Sequence, residues 1–127
     1  DLTQAAGEAV TLFRASEPYW ADENKYEGEH RITDGPFMYR SKTDELFMIW
    51  SSFVQGRYAE YLVKFAGGQL GTEFEHLDPL VTSDGGHGMI FHSGDKLYLT
   101  FHSPNATGWE RPMFMDVADM GDRMTVV

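Results

Sequence analysis

The sequence predicts an all-β fold made of β-propeller blades, each of four antiparallel strands, and three observations point there. From Pro36 onward apolar and polar residues alternate with a period of two, short turn-forming runs interrupt the alternation, and one stretch repeats another at a fixed offset. The alternation marks strands at 37–41, 46–52, 58–65, 88–92, 97–102, 113–117 and 123–127. Between them stand Thr43-Asp44, Gln55-Gly56-Arg57, Gly67-Gly68, Ser93-Gly94-Asp95 and Pro104-Asn105, which carry the residue types that close hairpins. Residues 2–9 leave room for one helical turn at most, because the stretch is short and holds Gly and Thr.

The repeat sets the architecture. Laying residues 35–52 over 86–103 without gaps, a shift of 51, pairs Gly35 with Gly86, Met38 with Met89, Asp44 with Asp95, Leu46 with Leu97 and Ser52 with Ser103, while Trp50 meets Phe101. A period near 50 in short antiparallel strands is what propeller blades produce, because each blade buries its faces only against the next. A sandwich of hairpins would not require equal spacing. At this phase residues 34–84 make one blade, 85–127 most of another, and 1–33 the outer strands of a third, incomplete one, about two and a half blades in all.

Composition bounds the function. The chain has 127 residues, of which 42% are hydrophobic and 14% aromatic, which is the make-up of one packed domain. Twenty Asp and Glu against ten Lys and Arg leave a net charge of -10, so nucleic acid is excluded as a partner. The same surface suits a soluble protein that acts on neutral polysaccharides, and equally a merely solvated acidic face. Without cysteine there is neither a disulfide framework nor a thiolate zinc site, and cytoplasm, periplasm and exterior all remain open. No apolar run approaches the roughly 20 residues of a membrane span. The start at Asp1 reads as a cut or processed chain, and the sequon Asn105-Ala106-Thr107 carries little weight.

Several runs then occur in a telling order: Ala6-Gly7-Glu8, Thr11-Leu12-Phe13-Arg14-Ala15-Ser16-Glu17, Ile32-Thr33-Asp34-Gly35-Pro36-Phe37-Met38-Tyr39-Arg40, Asp84-Gly85-Gly86-His87-Gly88-Met89-Ile90-Phe91, His102-Ser103-Pro104-Asn105 and Glu110-Arg111-Pro112. Together they resemble the latter half of glycoside hydrolase family 43. The resemblance implies a five-bladed propeller that hydrolyses arabinosides or xylosides with inversion, by carboxylates projecting into the central cavity. Inversion needs an acid and a base on opposite faces of the sugar, about 6.5–9.5 Å apart, so that a water fits between.

Residue by residue, the resemblance places Asp34 at the general acid, where the family commonly has Glu; by its own chemistry Asp34-Gly35-Pro36 is also an ordinary turn. Glu27 and Glu29 are candidates for the neighbouring carboxylate that would raise its pKa. His87 falls at a position that faces the cavity beside a calcium or sodium ion, directly or through water, with a hydrogen-bonded core histidine as the other reading. Arg111 matches a position that reaches the sugar or a catalytic carboxylate, and an ion pair with Glu110 or Asp116 explains it as well. Trp50, Phe53 and Trp109 are candidates for stacking on sugar or for the core. A three-histidine zinc site from His87, His92 and His102 is disfavoured, since a spacing of five puts His92 on the opposite strand face from His87. No organic cofactor is implied. The family's other two carboxylates lie in its first half, and nothing here matches them.

Three functions follow as expectations: part of a glycosidase whose site is completed by another copy or a missing half, a non-catalytic carbohydrate-binding remnant, or a structural propeller piece. Open blade faces and strand edges further predict a homo-oligomer, with a two-fold dimer favoured because it would supply five blades and bring two Asp34 carboxylates to one cavity.

Overall fold

The computed structural model describes Gln4, residues 7–20 and residues 32–127. Strands β1 (Asp34–Arg40), β2 (Leu46–Val54), β3 (Arg57–Phe65) and β4 (Phe74–Val81) form one sheet in sequential order. Strands β5 (Gly86–Ser93), β6 (Lys96–Ser103), β7 (Arg111–Asp119) and β8 (Met124–Val126) form a second sheet of the same order. Every neighbouring pair is antiparallel. These are two consecutive propeller blades, and the hairpin of β1 with β2 is the one the repeat predicts. Among the described residues the only helical element is a single 3₁₀ turn, Ala66–Gly68.

Alternation along the strands gives each blade two faces, and burial shows which are covered. Phe47, Ile49, Leu62 and Val81 of the first blade meet Ile90, Leu97, Leu99, Phe101, Val117 and Met124 of the second in one core between the sheets. The opposite face of the first blade gathers Leu46, Met48, Trp50, Ala59, Tyr61, Val63 and Phe65 into a second core. Residues 7–20 lie over that face in turns and extended chain, with Leu12, Phe13, Ala15 and Trp20 packed on it. Trp20 stacks flat on Tyr61 with ring centroids 3.4 Å apart. The Tyr19 hydroxyl ties the same segment to the Asp78 carboxylate. Covered on both sides, β2 and β3 are buried almost throughout.

Ahead of Asp34 no described residue lies in a strand, and 21–31, where part of the third blade's outer strands was expected, fall outside the described residues. Half of the helical turn expected at 2–9 also falls outside them, and its described residues, Gln4 and 7–9, are not helical. Strand β4 is an addition to the seven strands legible by alternation. Its sequence, Phe-Glu-His-Leu-Asp-Pro-Leu-Val, breaks the pattern with two acids and Pro79, which an outermost strand tolerates because one edge needs no partner.

The repeat is offset differently in its two strands. From β2 to β6 the equivalence is the predicted 51, since Ser51 and Ile49, the partners of Asp34 and Phe37, correspond to His102 and Thr100, the partners of Gly86 and Met89. From β1 to β5 the offset is 52, because Asp34 corresponds to Gly86 and Phe37 to Met89. The connection from Arg40 to Leu46 is one residue longer than that from His92 to Leu97, which absorbs the difference. Gly35 is therefore the structural counterpart of His87 and not of Gly86, and both strands bulge at this point.

Candidate functional site

One transverse row of the first blade carries the site. Asp34 on β1 pairs with Ser51 on β2, and Ser51 pairs with Glu60 on β3, so three polar side chains stand side by side at the strand ends nearest the start of β5. Ser51 and Glu60 have the parity of Ile49 and Leu62 and so point between the blades. The chain enters β5 through Gly85, Gly86 and Gly88, and each lacks a Cβ for a visible reason. A Cβ on Gly85 would lie 2.7 Å from the Phe101 ring, on Gly86 2.7 Å from Ser51 Oγ and from the Tyr58 ring, and on Gly88 2.7 Å from the Thr100 carbonyl. The second blade thus presses its first strand onto the polar row of the first.

Asp34 is held from several directions. The Tyr58 hydroxyl donates to Asp34 Oδ2 at 2.7 Å, His87 Nδ1 stands 3.2 Å from the same oxygen, and the Gly35 N–H donates to Oδ1 at 2.9 Å. Partial burial alone would raise the carboxyl, but the Tyr58 hydroxyl, the nearby His87 and the Gly35 N–H outweigh it and hold Asp34 below the usual carboxylate range. Burial first, then the hydrogen bond to Asp34, pushes the Tyr58 phenol up, so it donates as a neutral hydroxyl.

Glu60 lies behind this pair and is wholly buried. Its Oε2 accepts from Ser51 Oγ at 3.1 Å and from the Gly88 N–H at 2.8 Å, while Oε1 has no hydrogen-bond partner. Burial pushes the carboxyl up to about 7, against the pull of Ser51 and Gly88 and helped by the charge of Asp34. Two carboxyl groups in one site are thereby driven apart in pKa, with Asp34 ionised and Glu60 holding a proton near neutrality.

Of the residues expected from sequence, the structure brings together Asp34 and His87. Trp50 is 1% exposed and packs against Phe13 and Trp20, as its core alternative requires, although it also borders the groove beside Asp34. Arg111 is exposed, and its guanidinium donates to the Glu110 carbonyl at 2.7 Å without reaching Asp34 or His87. Of its alternative ion-pair partners, Glu110 meets it through the backbone carbonyl, and Asp116 pairs with Lys96. Phe53 rests on the Tyr58 ring, and Trp109 is exposed. Glu27 and Glu29 lie outside the described residues. Sequence reasoning missed Ser51, Tyr58 and Glu60, although Glu60 interrupts an apolar run, Tyr58-Ala59-Glu60-Tyr61-Leu62-Val63, in a way that signals a buried charge.

For a cation, the described residues contain no group of three or more His, Cys, Asp or Glu that could hold one, and His87 Nδ1 is already directed at Asp34. An open groove of about 290 Å³ runs past Asp34, bordered by Thr11, Phe13, Thr33, Pro36, Met48 and Trp50.

Two four-stranded antiparallel blades, the first carrying a carboxylate clamped between a phenol and an imidazole at the start of β1, make up a propeller-like fragment. Comparison with solved structures agrees: the chain is similar to an endo-arabinase from Bacteroides thetaiotaomicron VPI-5482, with 33% sequence identity and a TM-score of 0.78. The match covers 88% of this chain and 41% of that one, so the chain spans well under half the length of the enzyme it resembles. No protein-family model matches the chain, and no curated protein matches it significantly. Among the described residues no helix is long and apolar enough to cross a membrane.

Proposed function

We propose that this chain is part of a glycoside hydrolase of the family 43 type, acting on arabinosides or xylosides of plant polysaccharides with inversion. The observation that carries the reading is the Asp34 carboxylate, fixed at the inner end of β1 by Tyr58 and His87 in a chain a third identical to an endo-arabinase. The 127 residues supply at most one member of the acid and base pair. Glu60 is not the second, because a wholly buried carboxyl reaches neither water nor sugar. The base comes from further blades or from a second copy of the chain.

Asp34 as it stands is ionised near neutrality, the wrong state for protonating a leaving oxygen. Covering blades and a bound sugar would strip water from it and raise its pKa toward that task. The same observation favours a second reading, a carbohydrate-binding module in which a shortened, permanently charged Asp34 accepts hydrogen bonds from sugar hydroxyls.

Release of nitrophenol from aryl arabinofuranosides and xylosides separates the two. Hydrolysis by the parent that falls at least a hundredfold in Asp34→Asn supports the hydrolase. Equal rates in both remove Asp34 from the mechanism. Inactivity of both, with saturable binding of arabino- or xylo-oligosaccharide, supports the binding module.

A further inference from the structure

We infer that Glu60 is a positioning residue, which fixes the backbone beneath His87 and thereby aims the His87 imidazole at Asp34. This deepens the hydrolase reading and rests on it for the catalytic consequence, but the positioning itself can be observed without any activity.

The argument starts from an anomaly at His87. Its φ is 57°, in the left-handed region that a non-glycine residue seldom enters. Its side chain is 56% exposed, so little packing orients the ring from outside. What holds it comes from below. Two consecutive N–H groups turn down into the first blade: that of His87 donates to Ser51 Oγ at 2.7 Å, and that of Gly88 donates to Glu60 Oε2 at 2.8 Å. Ser51 in turn donates to the same Oε2 at 3.1 Å. A single carboxylate oxygen therefore terminates both supports of the left-handed turn.

The surroundings are fitted to this arrangement. A Cβ on Gly88 would sit 2.9 Å from Glu60 Oε2, and a Cβ on Gly86 2.7 Å from Ser51 Oγ, so either side chain would lift the backbone off its supports. Burying a carboxyl with one oxygen unpartnered is unfavourable, and an apolar side chain facing the core between the blades would avoid that penalty. The gain that offsets the penalty is geometric. With the turn seated, His87 Nδ1 stands 3.2 Å from Asp34 Oδ2 and takes one of the directions in which Asp34 is held.

The test compares Glu60→Val, Glu60→Gln and Ser51→Ala with the parent, reading the nitrogen resonances of the His87 ring by long-range ¹H–¹⁵N correlation, each with and without Asp34→Asn. Gln keeps an oxygen for Ser51 and Gly88, whereas Val removes it. We expect the His87 ring of the parent and of Glu60→Gln to respond to Asp34→Asn, and that of Glu60→Val to have lost the response. If Glu60→Val does not fold, Ser51→Ala cuts the support of the His87 N–H with a smaller change and should show the same loss. A folded Glu60→Val or Ser51→Ala whose His87 resonances match the parent and still respond to Asp34→Asn would overturn the inference. On the hydrolase reading, the uncoupled variants also lose about ten- to a hundredfold in kcat with KM little changed, and Glu60→Gln is spared. An inactive parent would sink that reading and leave the resonance comparison to decide the positioning role.

Discussion

Gly35 and His87 occupy equivalent places in successive blades, and both are left-handed, with φ of 53° and 57°. The glycine cannot be replaced because the histidine lies over it. A Cβ on Gly35 would fall 2.9 Å from the His87 ring and 3.0 Å from its Cα, while the positive φ strains any side chain placed there. We therefore expect Gly35→Ala to destabilise the protein by about 1–3 kcal/mol, seen as a lower urea midpoint at unchanged slope. The displaced ring should also lose its contact with Asp34. A midpoint equal to that of the parent would show that the two blades give way at this seam.

Glu60 sets a pH dependence of opposite sense to that of ordinary acid denaturation. Unfolded, it releases its proton near 4.5; folded, it holds it up to about 7. Between these values the native state binds more protons than the unfolded one, so this contribution to stability falls as pH rises. As pH rises past about 7 the loss reaches its full size, of the order of 3 kcal/mol. Asp34, with its lowered carboxyl, contributes stability that is present above about pH 4 and lost below it, so the two windows do not overlap. Denaturant titrations from pH 5 to 8 should show a declining stability in the parent and a flatter one in Glu60→Gln. Parallel curves would place the Glu60 proton elsewhere.

The fold was legible because its signals are local and periodic. The apolar run at 46–50, the alternation in 97–102 and the turn residues that follow each mark the central hairpins, whose inward-facing residues are nearly all apolar. Strand β4 was not legible, because an edge strand need not alternate and Pro79 argues against one. In the site, Asp34 and His87 stood out through short motifs rich in glycine. Ser51, Tyr58 and Glu60 did not, since their roles arise from register across three strands, and a register offset by one residue cannot be read from a gap-free repeat. Trp50 misled for a related reason: an aromatic in an alternating strand looks the same whether its face meets a sugar or residues 12–20.

Asp119 closes the outer end of the same interface between blades. One carboxylate oxygen accepts from the Tyr39 hydroxyl at 3.0 Å and from the Lys42 N–H at 2.8 Å, both in the first blade, while the other accepts from the Gly121 N–H at 2.7 Å. Burial, then the bond to Asp119, pushes the Tyr39 phenol up to about 12. Asp119→Ala leaves partly buried donors unmet and should destabilise by about 1–3 kcal/mol, and Tyr39→Phe by about 1 kcal/mol. Because the residues share a bond, the double variant should be less than additive in urea unfolding. Strict additivity would mean that the latch is held by the backbone contacts alone.

The face of the second blade turned away from the first carries Met89 and Phe114 on either side of Thr100, aligned across three strands. Met89 is 48% and Phe114 61% exposed, and Phe91 and Tyr98 stack beside them. In a propeller such a face packs against the next blade; for these residues alone, the proposed occupant is a second copy of the chain, since association through a shared apolar face covers it on both partners at once. Light scattering behind size exclusion should then give twice 14.4 kDa at micromolar concentration. Phe114→Glu, at a position too exposed for the change to unfold the blade, should return the mass to a single chain with the thermal transition little altered. If the two copies share an active site, with their Asp34 carboxylates about 6.5–9.5 Å apart as acid and base, the same substitution abolishes hydrolysis without touching Asp34. A parent mass of 14.4 kDa would refute the dimer. A dimer whose hydrolysis survives dissociation by Phe114→Glu would keep the association and discard the shared site.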